Sequence, residues 1–199
     1  MSNRLRARCL DTFILLTIAT TAAAHSEHPS TKHHVVIEKL CNIKVSNPYG
    51  GRFEAAEDGA FFLVPAKFVA KTRLSDLYLS AHCEPSENLE KAGVSFNAHT
   101  QKWERDFSKI KPGRDTPSKA MRFTVYTITA VNSIGYGVTL DDDTGEPQQR
   151  QRYFMYCLPH PPVALCGGGY VAFLNDPKGN LLPHIMRILR SVEFVESAP

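Results

Sequence analysis

The sequence predicts an α+β domain: a twisted antiparallel sheet, wound as a meander, with a few helices packed on it and two disulfides. Three observations carry this. Residues 150–158 and 164–174 are strand-like runs flanking a proline-rich turn. Leu182, Ile185, Met186 and Leu189 repeat at the i, i+3, i+4, i+7 spacing of one buried helix face. Four cysteines (Cys41, Cys83, Cys157 and Cys166) lie beyond a stretch that reads as an export signal, and an even count in an exported chain favours disulfides.

The signal is residues 1–24. Arg4, Arg6 and Arg8 form its positive region, 13–19 its short apolar run, and Ala22 to Ala24 its small-residue cleavage site. The apolar run is well short of the ~20 residues a membrane span needs. Cys9 precedes that run and is not placed as a lipoprotein cysteine. The expected protein is therefore periplasmic or secreted, with no membrane span. The signal holds three of the 23 basic and one of the 20 acidic residues, leaving 20 against 19 in about 175 residues. A net charge near +1 gives no argument for nucleic acid or an anionic membrane. The remaining length suits one hydrophobic core, assigned to residues 35–199.

Residues 25–34 are polar and aperiodic, and read as a disordered lead-in. The β-branched run 35–45 reads as a first strand, 46–58 as turn-rich chain, 60–64 as a second strand stopped by Pro65. Segment 66–74 fits strand or helix, 77–83 another strand, and 85–92 a short helix capped by Ser86 and ended by Gly93. Segment 94–114 is the least readable; within it Trp103 and Phe107 suggest a packed pair. Residues 121–131 are the strongest strand signal, and 133–140 lead to a turn at 141–145. Asn180 is the expected N-cap of the closing helix and Pro183 falls in its first turn. Arg187 and Arg190 point outward at its end. Val192 and Phe194 then resume the alternation of a last strand, 191–195.

The central hairpin carries its own register. Pairing Cys157 with Cys166 opposes Pro159 to Ala164, leaves 160–163 as the loop, and sets Met155 against Gly168 and Tyr153 against Tyr170. Tyr156 and Phe154 then oppose Gly167 and Gly169, so rings lie over bare glycines. A bulge, or close approach of a ligand, are the other uses of three glycines. The register favours Cys157–Cys166 as one disulfide and leaves Cys41–Cys83 as the other.

No recognisable chemistry emerges. Asp141, Asp142, Asp143 and Glu146 lack the spacing of a calcium loop and read as a hairpin turn. There is no G-x-S-x-G, H-E-x-x-H, phosphate loop or dinucleotide fingerprint. His82, His99, His160 and His184 have no partner at a diagnostic spacing. His25, next to the cleavage site, with His28, His33 and His34 would suit copper or zinc, but a solvated tail is the preferred reading. No cofactor is expected.

The runs Thr144 to Glu146, Gln149 to Leu158, Leu165 to Gly167, Asp176 to Asn180 and Ile188 to Phe194 resemble a group of small exported proteins of proteobacteria. The closing helix and strand, Ile185 to Phe194, are similar to the end of PsbP-like α/β proteins. That resemblance implies a twisted antiparallel sheet with helices packed on it, and a non-catalytic adaptor role. The expected function is thus binding of another macromolecule, a protein partner in the cell envelope, as an inhibitor, immunity protein or adaptor. A small secreted hydrolase whose residues converge only in the fold, and a carrier of a small apolar ligand, are the alternatives. The expected partner surface is the turn Asp141, Asp142, Asp143 with Arg150 and Arg152, continued along one strand face by Phe154, Tyr156 and Leu158. The blander alternative is that the arginines only neutralise the aspartates.

Overall fold

The computed structural model describes residues 31–56, 58–87, 89, 93–106, 108, 122–142 and 144–195. The expected signal at 1–24, and residues 25–30 of the lead-in expected at 25–34, lie outside them. Among these residues twelve strands form three antiparallel sheets, accompanied by one α-helix: β1 (Thr31–Ile37), β2 (Cys41–Asn47), β3 (Arg52–Ala56), β4 (Gly59–Pro65), β5 (Asp76–Pro85), β6 (Val94–Asn97), β7 (Lys102–Arg105), β8 (Phe123–Thr129), β9 (Ile134–Asp142), β10 (Gln151–His160), β11 (Val163–Phe173), α1 (Leu182–Arg190) and β12 (Glu193–Phe194). The large sheet has the order β3-β4-β5-β11-β10-β9-β8. It is two meanders joined where β5 meets β11, rather than the single meander expected. The small sheet β1-β2-β12 stacks with α1 on one face, and the hairpin β6-β7 is separate.

Where the residues alternate cleanly, the elements follow the expected lines. The β10–β11 register pairs Cys157 with Cys166, Met155 with Gly168 and Tyr153 with Tyr170. His160 still pairs with Val163, so the loop is only Pro161 and Pro162. Helix α1 buries Leu182, Ile185, Met186 and Leu189, and Ile188 as well. The N-cap of α1 is Leu181 rather than the expected Asn180, which lies one residue earlier with its Oδ1 accepting from the Leu182 N–H at 3.0 Å. Among the described residues α1 is the only α-helix, where a few were expected.

Several expectations are revised. The run 35–45 is not one strand but the hairpin β1-β2, turning at Glu38 and Lys39 with φ of 52° and 58°. Two non-glycine residues in the left-handed region give no turn signal in sequence, and each costs about 1–2 kcal/mol. Ile37 and Cys41, 1% exposed on either side, anchor them. Thr31 to His34, placed in the lead-in, are paired in β1 because Val45 and Asn47 stand opposite. The turn-rich 46–58 contains β3, whose Phe53 packs 5.1 Å from Phe62. Segment 66–74 opens with a single 3-10 turn, Ala66–Phe68. Of the helix expected at 85–92, Pro85 ends β5, Ser86, Glu87 and Leu89 lie in 3-10 conformation, and the rest falls outside the described residues, as does Phe107.

The main core lies between the sheets. Ile43 and Val45 of β2, Ile185, Ile188 and Leu189 of α1, and Val192 pack on Phe62, Leu79, Tyr156 and Leu165. The Cys41–Cys83 disulfide ties β2 to β5 across this interface. Asn132 closes it by accepting from the Phe194 N–H at 2.9 Å and donating to the Phe194 carbonyl at 2.8 Å.

Candidate functional site

Among the described residues the opposite face of the large sheet is covered at one end only. Hairpin β6-β7 lays Trp103 4.9 Å from the Tyr136 ring and 5.5 Å from Phe96. Trp103 Nε1 donates to the Ile134 carbonyl at 3.1 Å. A second core of Val94, Phe123, Val138, Ala164 and the Cys157–Cys166 disulfide forms there. Beyond it the face is open. Tyr78 and Tyr170 are 42% and 48% exposed. Tyr170 meets Tyr153 edge-on at 5.2 Å, and Phe61 lies 5.8 Å from Tyr78.

An open cavity of about 490 Å³ adjoins these rings, lined by Ser80, His82, Glu84, Tyr153, Met155 and Gly168 among others. The glycine run shapes it. The β5–β11 ladder is regular from Val163↔Pro85 only to Cys166↔His82. Past that point Ser80 Oγ takes over, accepting from the Gly168 N–H and donating to the Gly168 carbonyl, both at 2.9 Å. A Cβ on Gly167 would sit 1.9 Å from the Ser80 carbonyl oxygen, and one on Gly169 2.2 Å from that of Tyr78. The glycines therefore admit the backbone of β5. Ring-over-glycine packing, the preferred expectation, is secondary here: Tyr156 does touch Gly167, but the Phe154 ring lies over Gly137 instead.

Burial pushes the Tyr153 phenol up, helped by neighbouring Tyr170 and Tyr78. Burial, with the Glu84 charge beside it, raises Tyr136 further. Both phenols are therefore held in the neutral form, and the Tyr136 hydroxyl donates to the Leu89 carbonyl at 3.4 Å. Glu84, Cys157 and Cys166 bring three ligand-type atoms within 4.8 Å of one another, but both sulfurs are spent on each other.

The surface expected at residues 141–152 divides. Asp141 and Asp142 belong to β9 rather than to a turn, and Asp143 lies outside the described residues. Asp141 is 4% exposed and takes a fork from Arg152, Nε at 2.6 Å and Nη2 at 2.9 Å. That is the neutralising arrangement, in its strongest geometry. Thr144 caps Asp142 through its N–H at 3.1 Å and its hydroxyl at 2.5 Å; with the Arg150 charge nearby these hold its carboxyl below the usual range. Arg150 Nε donates to the Gly145 carbonyl at 3.1 Å. Phe154, Tyr156 and Leu158, the apolar row expected to continue the patch, are 0–2% exposed and belong to the core. Asp141, Arg150 and Arg152 do meet, around a cavity of about 410 Å³ that Arg122 and Asn175 also line.

Sequence reasoning missed Tyr78, Ser80 and Glu84, and met His82 only as a histidine without a partner at a diagnostic spacing. Alternation puts them on one face of β5, but only the β5–β11 pairing brings them to Tyr153 and Met155. No family model matches the chain, and no curated protein matches it.

Proposed function

We propose that this is an exported, non-catalytic protein that binds another protein in the cell envelope through the open face of its large sheet. The observation that carries the reading is the pair of exposed rings Tyr78 and Tyr170, continued by the half-buried Tyr153, Phe61 and Met155, on the face of the large sheet opposite its main core. Aromatic and methionine side chains are what interface cores favour. Among the described residues no lysine or arginine lines the adjoining cavity, while Glu84 does, so the fitting partner surface is apolar with a cationic group. The groups whose titration is moved there are neutral phenols, which suits recognition better than proton transfer. The space enclosed between the sheets and α1 is about 20 Å³, too small for an apolar ligand.

The test is capture from envelope extract on the immobilised mature chain, with Tyr78→Ser/Tyr170→Ser as the comparison. The wild type should retain a partner that the double variant loses at an unchanged urea midpoint. A partner held equally by both overturns the surface. Mass spectrometry of the exported form should find a mature chain beginning near His25; an intact N-terminus overturns the export reading.

A further inference from the structure

The arginine-lined cavity at the far end of β9 and β10 has a chemistry of its own, independent of the open face. We propose that it is an oxyanion site for a phosphate-type group. Three guanidinium groups (Arg122, Arg150 and Arg152) face one carboxylate, Asp141, so the lining carries a net +2. That carboxylate is already consumed by the Nε and Nη2 of Arg152. Arg150 spends only its Nε, on the Gly145 carbonyl, which leaves its Nη groups without a hydrogen bond among the described residues. Arg122, exposed just before β8, has no carboxylate partner among the described residues.

The fourth donor is set by a clamp behind the cavity. Arg73 stacks over the Phe173 ring at 4.3 Å and donates to the Gln148 carbonyl at 3.1 Å and to Asn175 Oδ1 at 2.8 Å. With its oxygen held by Arg73, Asn175 has its amide N–H groups left to give. Every uncommitted polar group named here is a donor, and two, Arg122 and Arg150, are cationic. Guanidinium forks match the oxygens of phosphate in geometry as well as charge, and several around one volume suit a tetrahedral dianion. At about 410 Å³ the cavity has room for the oxyanion with a substituent attached.

Inorganic phosphate is the probe, added to the mature protein at constant ionic strength made up with chloride. A ligand that binds only the folded state raises its melting temperature in a saturable way. The wild type should show that rise, and Arg122→Gln/Arg150→Gln should lose it. Neither side chain supports the core, whereas Arg152→Gln would strand buried Asp141 and is avoided. An equal rise in the double variant, or no rise beyond the chloride control, overturns the proposal. A rise with citrate but none with phosphate also overturns it, assigning the cavity to carboxylates. In phosphorus NMR the wild type should broaden the phosphate resonance and the double variant should not; equal line widths with the two proteins overturn the site independently of any melting measurement.

Discussion

The two faces of the seven-stranded sheet are built from the same strands and finished in opposite ways. On the covered face Phe62, Leu79, Phe154, Tyr156 and Leu165 are 0–4% exposed beneath β1-β2-β12 and α1. On the other, rings of the same kind sit at Tyr78, Tyr153 and Tyr170, and among the described residues only the end near Trp103 is roofed. Each face also has its own disulfide. Cys41–Cys83 spans the two layers of the covered side, closing 42 residues of chain. Cys157–Cys166 spans 9 residues between strands that are already neighbours. Aromatic content thus does not distinguish interior from surface. What distinguishes them is whether another element of the chain is anchored over the face.

If that contrast is right, the layer-spanning disulfide should matter more. Removing it as Cys41→Ala/Cys83→Ala is expected to cost ~4 kcal/mol on the loop-entropy account, against ~2.5–3 kcal/mol for Cys157→Ala/Cys166→Ala. Urea midpoints measure both, and a larger loss from the second pair would mean that the layers hold without their staple. A next-largest contrast tests the faces by side chain. Leu189→Ala, under the covered face, should cost ~2–5 kcal/mol, and Tyr170→Ser, on the open one, within ~0.5 kcal/mol. Similar losses would show that Tyr170 is structural and the open face not free.

The smallest expected effect concerns pH, and belongs to the covering layer. His184, half-buried in the first turn of α1, has its Nδ1 3.0 Å from the Tyr49 hydroxyl. Burial, then the Arg187 charge, push its pKa below the usual 6.5. The unfolded chain therefore takes up the proton first. Stability from this group is full above pH 6.5 and is lost as pH falls from there through the folded pKa. Between about pH 7.5 and 5.5 the urea midpoint of His184→Gln should drop less than that of the wild type. Parallel slopes would place the response elsewhere.

Legibility followed locality. The β10–β11 register could be read because two cysteines, two tyrosines and three glycines recur at matched spacings around one short turn. The β1–β2 turn could not, because Glu38 and Lys39 adopt a conformation their side chains do not advertise. Of the expected partner surface, the Asp141–Arg152 contact was legible as neighbours across a hairpin. Its apolar continuation was not, since period-two alternation groups Phe154, Tyr156 and Leu158 on one face without saying which face is covered.

By itself, then, the sequence determined the central hairpin, both cysteine pairs, the buried stripe of α1 and the strand-rich class. Each is set by alternation or helical spacing over short separations or, for the Cys41–Cys83 pair 42 residues apart, by the cysteines left once the hairpin pair is made. Only the tertiary structure decided that β5 lies against β11, that the glycines admit its backbone, and that Arg122 and Asn175 join Arg150 and Arg152 around one cavity. These depend on residues tens of positions apart, whose meeting is governed by how whole layers stack. Both faces of this sheet carry apolar rings, so local pattern has no means of choosing the one to be covered. That choice falls to the element anchored on it, here β2 with α1, held by Cys41–Cys83.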